Sequence, residues 1–238
     1  MIWRDWKLGS ASGLPHTASE QKHHLLPLLK TFLSISILLL LSSSRAPLAG
    51  DDEELWRHHN LGKAFYENPT TQLQAVEEFK KALELAPNSA REQLNYGLAL
   101  LRAGKLDEGI AELKKVQKEN PSIPHTWFNL GIIFKKAAQY DLAIQQFQGM
   151  VERVPEEPVS HYNLGVLYKL TGKPDLALKE FEAALKLDSN LAGPHFQLSN
   201  AYRAAGRAED ADREFQLFQQ IKKRQAGAVI PEDLEWSS

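Results

Sequence analysis

One unit of about 34 residues recurs along most of the chain. The segments HNLG, LNYG, FNLG, YNLG and FQLS appear in order, at nearly constant intervals. Each segment closes with a small residue, and the series is Gly62, Gly97, Gly131, Gly165 and Ser199. Self-similarity at a fixed period of this length is typical of repeat architectures, in which each unit packs against its neighbours. The chain is therefore predicted to contain five copies of one unit.

Two further series keep the same period and indicate how each unit packs. A second small residue recurs once in every copy, and a large apolar side chain follows it four positions later. The small residues are Ala75, Gly109, Ala143, Ala177 and Ala211, and the large ones are Phe79, Leu113, Phe147, Phe181 and Phe215. We expect the small residues to let two helix backbones approach closely while the large side chains fill the space beside them.

Each copy is predicted to form two helices, because its apolar residues recur at spacings of three and four. A glycine turn signal separates the two runs in three copies, at Gly104, Gly172 and Gly206. The predicted fold class is therefore all-α, a solenoid of five helix-turn-helix repeats. The copies are expected at approximately residues 54–88, 90–123, 124–157, 158–191 and 192–225.

These residues resemble the tetratricopeptide repeat family from about residue 54 to residue 225. The third copy carries the family signature, formed by Trp127, Leu130, Gly131, Phe134, Ala143, Phe147 and Pro155. The other copies depart from it at the tryptophan position, which holds His58, Gln93, His161 and His195. The resemblance implies a right-handed superhelix whose first helices line a concave groove, and that groove holds segments of other proteins.

One candidate feature of the groove is a row of amide side chains, which we call the amide ladder. Its members are Asn60, Asn95, Asn129 and Asn163, with Gln197 in the last copy. Because an amide both donates and accepts hydrogen bonds, such a row can pair with the backbone of an extended peptide. The alternative is that each amide bonds to a neighbouring carbonyl between repeats.

A row of apolar residues stands one position before the amide ladder, at Leu94, Phe128, Tyr162 and Phe196. Leu98, Ile132 and Val166 follow one turn later and should share the same helix face. These residues form either an apolar strip for a partner or an ordinary core between helices. The complete predicted partner-binding set is Asn60, Asn95, Asn129, Asn163, Leu94, Phe128, Tyr162, Phe196, Ile132 and Lys136.

Basic residues follow near the ends of the first helices, at Arg102, Lys135, Lys136, Lys169 and Arg203. They either edge the groove with positive charge, which would suit a partner with acidic residues, or form a plain solvated face. The whole chain has 28 basic and 30 acidic side chains, so no global field favours nucleic acid. No nucleic-acid partner is expected.

The sequence predicts no enzyme, no cofactor and no metal site. His125, His161 and His195 lie in separate repeats, too far apart to share one metal ion. No HExxH, P-loop, dinucleotide fingerprint or G-x-S-x-G pattern is present. The absence of cysteine excludes thiol catalysis and cysteine-ligated zinc.

The first fifty residues differ from the repeats and resemble a secretory signal peptide. Basic groups precede an apolar stretch from Phe32 to Leu41, and the small and polar run SSSRAPLAG follows it. This stretch suits the roughly 7 to 15 residues of a signal core and is short of the roughly 20 that span a bilayer. A retained membrane anchor is the alternative. In both cases we expect the body of the chain to be exported, and any membrane contact to depend on this segment.

Residues 226–238 form a tail after the repeats, in which Leu234 and Trp236 are candidates for a cap. We predict that the chain is a non-catalytic scaffold that holds a protein or peptide segment in the groove of the array. The alternative is an N-terminal accessory module of a larger exported enzyme or carrier protein, because the last repeat lacks an obvious polar capping helix.

Overall fold

The computed structural model describes residues 49–225, which form ten α-helices and, within this range, no strand. The helices are α1 Ala49–Glu67, α2 Gln72–Leu85, α3 Ala90–Arg102, α4 Leu106–Glu119, α5 Pro124–Lys136, α6 Tyr140–Arg153, α7 Pro158–Leu170, α8 Pro174–Leu187, α9 Ala192–Ala204 and α10 Ala208–Arg224. Of the predicted signal or anchor segment, only Ala49 and Gly50 are described, and they begin α1. The tail with Leu234 and Trp236 lies outside the described residues. Among the described helices, none is long and apolar enough to cross a bilayer.

Consecutive helices pair into five units, α1 with α2, α3 with α4, and so on to α9 with α10. Each unit packs against the next through the second helix of one and the first helix of the other. The main core of buried side chains extends from Leu94 to Leu198, and a smaller one surrounds Phe79 in the first unit. The predicted all-α solenoid of five helix pairs is therefore confirmed.

Each unit is held together by a close approach between its first and second helix. Gly165 of α7 faces Phe181 of α8, and a Cβ atom at Gly165 would lie 2.6 Å from the ring. Gly131 faces Phe147 in the same way, and the corresponding distance is 2.8 Å. Both phenylalanines are buried. The expectation that a small residue admits the neighbouring helix while a large side chain fills the gap is confirmed for these units.

The last described unit has Ser199 in place of this glycine. The Ser199 hydroxyl donates to the carbonyl oxygen of Ala211 in α10 at 2.8 Å, and the serine is 1% exposed. A buried hydroxyl must find a partner to avoid the free-energy cost of leaving water. Here the partner is on the facing helix, so the bond adds to the contact within the unit.

Replacing Gly165 with alanine should destabilise the array, because Phe181 or a helix backbone must shift to admit the methyl group. We expect the free energy of unfolding to fall by about 1–3 kcal/mol in chemical denaturation. Gly97→Ala is the matched control, because its new Cβ would lie 3.2 Å from Leu113 and Glu112. The free energy of unfolding should fall less for Gly97→Ala. Equal losses for the two variants would contradict the role given to the Phe181 ring.

The turn inside four of the units contains a residue with positive φ. Gly104, Gly172 and Gly206 have φ angles of 79°, 73° and 72°, and Ala138 holds the equivalent position with φ 55°. The Gln139 amide donates to the carbonyl of Phe134 at 2.9 Å, which closes the end of α5 in a Schellman arrangement. Left-handed backbone is unfavourable by roughly 1–2 kcal/mol for a residue with a Cβ atom. Ala138 therefore stores strain that the three glycines avoid.

Ala138→Gly should stabilise the protein. Relief of the strain exceeds the extra entropy that glycine gives the unfolded chain, so we expect a gain of about 0.5–1 kcal/mol. The measurement is the denaturant midpoint, with Gly172→Ala as the reciprocal variant that should lose a similar amount. A destabilised Ala138→Gly protein would contradict the interpretation.

Histidines at the position of the family tryptophan connect the two helices of three units. His58, His161 and His195 pair with Glu78, Glu180 and Glu214, at Nδ1 to Oε2 distances of 2.5, 2.7 and 2.6 Å. In the second unit Gln93 donates to Glu112 at 3.0 Å. A hydrogen bond from first to second helix thus recurs in four units.

The imidazole rings of His161 and His195 also bond to the loop that precedes their own helix. Nε2 of His161 lies 3.0 Å from the carbonyl oxygen of Pro155, and Nε2 of His195 lies 3.1 Å from that of Ser189. Trp127 donates its Nε1 proton to Pro121 at 2.9 Å, again six residues earlier. His161 and His195 therefore reproduce the indole hydrogen bond and add one to a carboxylate.

The Glu180 hydrogen bond raises the pKa of His161 above its ordinary value of 6.5, although burial opposes the rise. The Pro155 carbonyl and the Glu157 charge act in the same direction as Glu180. With both ring nitrogens facing acceptors, the doubly protonated imidazolium is the form that this site favours.

The raised pKa of His161 predicts that part of the stability is present in full below about pH 6.5 and is lost as the pH rises through the higher pKa of the folded state. Thermal unfolding followed from about pH 6 to pH 8 should show this decline. His161→Trp is the matched variant, because an indole retains the bond to Pro155 but does not titrate. The stability of His161→Trp should decline less between about pH 6 and pH 8. A pH profile equal to that of the unchanged protein would contradict the role given to His161.

Candidate functional site

The first helices α1, α3, α5, α7 and α9 form a row along the array. Side chains bond across three of the four boundaries: His59 with Glu92, Lys135 with Asn163, and Lys169 with Gln197. We call the surface that carries the amide ladder and the apolar row the first-helix face. These bonds join the face between units one and two and from unit three to unit five.

The amide ladder is largely buried. Asn60 in the first unit is exposed. The next three members are buried, with exposed fractions of 5%, 4% and 0% for Asn95, Asn129 and Asn163. The Asn129 amide donates to the carbonyl of His125 at 2.9 Å, and the Asn163 amide donates to that of Val159 at 2.8 Å. These two amides thus bond to carbonyls of this chain, as the alternative interpretation expects, but within one helix instead of between repeats.

Lysines of one unit reach the amide ladder of the next. Lys135 Nζ donates to Oδ1 of Asn163, and Lys169 Nζ donates to Oε1 of Gln197 at 2.9 Å. The two lysines hold the same position in consecutive copies and so do the two amides, so the contact repeats with the period of the array. Both functional groups of Asn163 are therefore engaged. Asn95 differs, because its Nδ2 is buried without a hydrogen-bond partner in the part of the chain that the structure describes.

The apolar row passes from buried to exposed along the array. Three predicted members belong to the core, with exposed fractions of 7%, 1% and 4% for Leu94, Phe128 and Ile132. Tyr162 is half-buried and packs on Gly193 of the next unit, where a Cβ atom would lie 2.6 Å from the ring. Phe196 lies in the last described unit and is 40% exposed, with its ring 5.2 Å from that of Phe218. The neighbouring unit thus decides which members of the row reach solvent.

The basic residues of the first helices differ in exposure. Lys136, Lys169 and Arg203 are exposed, whereas Lys135 is half-buried. Arg102 is also half-buried, and its guanidinium lies over the ring of Tyr66 at 4.8 Å. The exposed cations therefore lie on the last three units of the first-helix face.

A buried carboxylate joins the first two units, and the sequence analysis did not single it out. The Glu92 side chain has no exposed surface, and its oxygens lie 3.0 Å from Nδ1 of His59 and 2.8 Å from Nε of Arg91. Burial opposes ionisation of Glu92, but the hydrogen bonds and charges of His59 and Arg91 outweigh it and hold the pKa below 4.5. The sequence signal for this carboxylate is that Glu92 is acidic, whereas the same position in the following copies holds Thr126, Ser160 and Pro194.

A surface depression of about 670 Å³ lies beside the turn between α1 and α2. Phe65, Leu73 and Glu77 are among the residues that line it, and none of its lining residues belongs to the amide ladder or the apolar row. Within residues 49–225, no group of three or more His, Asp or Glu side chains is placed to hold a metal ion.

Comparisons with known proteins identify the repeating unit. Models of the tetratricopeptide repeat match residues 73–124 and 158–191. A solved structure of MamA from Desulfovibrio magneticus RS-1 is 18% identical, covers 73% of this chain and 98% of that chain, and gives a TM-score of 0.64. A MamA AMB-1 structure is 23% identical, covers 76% of this chain and 94% of that chain, and gives a TM-score of 0.60. At such identities the likeness concerns the fold alone.

A search of curated proteins finds no match. The two matched segments identify tetratricopeptide repeats in this chain, and the five helix pairs repeat the contact between a small residue and a large side chain along the array.

Proposed function

We propose that the protein is a non-catalytic scaffold that holds a segment of another protein along its first-helix face. The observation that supports this proposal best is that bonds join neighbouring first helices at three of the four boundaries and align amide, cationic and apolar side chains on one face. An elongated surface of mixed chemistry suits a polypeptide that takes a few contacts from each of several repeats.

The exposed side chains of this face are the ones available for direct contact. Leu170 and Phe196 are 54% and 40% exposed, and Leu170 holds the position that Lys136 has in the unit before. Removing such apolar surface from water favours association. Asn60 and Lys136 are exposed members of the predicted set. Its buried members, Asn95, Asn129, Asn163, Leu94, Phe128 and Ile132, support the face from beneath.

Replacing Leu170 and Phe196 together with alanine should weaken binding of peptides selected from a random library against the full-length chain. Burial of one such side chain is worth about 1.5–3 kcal/mol, so we expect at least a tenfold loss of affinity, measured by fluorescence anisotropy. Leu142→Ala with Leu176→Ala is the matched control on the second helices, where both leucines are similarly exposed, at 41% and 42%.

The control pair should leave the affinity unchanged. Thermal unfolding of both double variants separates a lost contact from lost structure. The proposal fails if no peptide is selected, or if the control pair reduces the affinity as much as the first-helix pair.

A further inference from the structure

Charge is distributed unevenly between the first and second helices of the last three units. The first helices α5, α7 and α9 contain no Asp or Glu, and each carries Lys or Arg in its last turn. The second helices carry both signs, with acidic residues in the first turn of α6, α8 and α10. Although the whole chain has a net charge of -2, the first-helix face carries a cationic strip that contains Lys169 and Arg203.

Two lysines of the first-helix face donate to the amide ladder. Lys169 Nζ donates to the neutral amide oxygen of Gln197 at 2.9 Å, and Lys135 makes the same contact with Asn163 one unit earlier. An amide oxygen accepts the hydrogen bond but does not neutralise the charge. Arg203 holds the equivalent position one unit later.

Within the described residues, Lys169 and Arg203 form no salt bridge, unlike Arg207 and Arg213 on the neighbouring α10 and its N-cap, which both pair with Asp210. Their exposed charges are thus available to an anionic group. Like charges aligned along one face repel one another, and an acidic ligand relieves this repulsion while it is steered towards the face.

We propose, as an extension of the proposed function, that the partner segment is an extended acidic polypeptide. Its carboxylates meet the cationic strip of Lys169 and Arg203. Its apolar side chains pack on Leu170 and Phe196, which are exposed on the same face. A carboxylate can take the lysine hydrogen bond that Gln197 now accepts, which frees the amide oxygen for a backbone N–H of the segment.

A protein partner suits this face better than a nucleic acid. The strip has few cations, and neutral amides and apolar side chains lie between them, whereas phosphate backbones are bound by denser clusters of Lys and Arg. The combination of spaced charge and apolar surface matches an acidic chain that also carries hydrophobic residues.

The test uses the full-length protein and a short labelled peptide in which Glu alternates with Ser around a central Phe. Two matched peptides replace every Glu with Gln or with Lys. We expect the Glu peptide to bind about tenfold more tightly than the Gln peptide in anisotropy titrations at low salt. The Lys peptide should bind less than either, and the preference for Glu should shrink at high salt because exposed charges are screened.

Two double variants test the location of the site. Lys169→Gln and Arg203→Gln should together weaken binding of the Glu peptide about fivefold, because two exposed ion pairs are lost. Lys179→Gln and Lys186→Gln make the same change of net charge on a second helix, where both lysines are exposed. This control should bind the peptide as the unchanged protein does, and circular dichroism melting should show that both variants fold.

Equal binding of the Glu and Gln peptides, or equal losses in the two double variants, would overturn the inference. Tighter binding of single-stranded polyuridylate or of phosphatidylserine vesicles than of the Glu peptide would also overturn it. Peptides selected from a random library that bind the first-helix face without acidic bias would leave the proposed function intact and remove only its acidic partner. Failure of every peptide to bind would remove both.

Discussion

The close approach of the two helices within a unit is the contact on which the rest of the array depends. A glycine backbone against a buried phenylalanine ring, as at Gly165 and Phe181, leaves no room for the first helix to rotate. Its orientation then fixes which side chains meet the next unit. The amide of Asn163 lies two residues before this glycine, and its position beside Lys135 of the preceding unit follows from the same constraint. Packing inside the unit thus determines the chemistry between units.

A second constraint acts between the ring at the start of each first helix and the loop before it. Trp127 meets this constraint with an indole N–H, and His161 and His195 meet it with an imidazole. The substitution is therefore not a loss of the tryptophan contact. His161 and His195 each add a bond to a carboxylate of the second helix, and at His161 this bond favours the protonated ring. The third unit instead packs its indole on Gly149 and beneath the Arg153 guanidinium, and so does not depend on pH in this way.

The period of the sequence was enough to predict the helix pairs, the small residues at the crossings and three of the turn glycines, because these features depend on residues within one unit. Exposure was not predictable in this way. Phe128 and Phe196 hold the same position in their copies, yet one is in the core and the other is 40% exposed, so the position within the repeat does not determine burial. The left-handed backbone of Ala138 and the bond from Asn129 to its own helix were not predicted either, because the spacing of residues does not indicate backbone strain or side-chain orientation.

The burial of the amide ladder restricts how a partner can use it. Oδ1 of Asn163 already accepts a hydrogen bond from Lys135, so a peptide N–H can replace that lysine only if the lysine finds another acceptor. A neutral peptide offers carbonyl oxygens, which compensate the displaced charge incompletely, whereas a carboxylate forms the stronger charge-assisted bond. In the binding mode that we propose, recognition of the peptide backbone by the ladder is therefore linked to acidic side chains in the same peptide. Free amides would read no sequence, whereas the lysines that bond to Asn163 and Gln197 make the proposed recognition selective for charge.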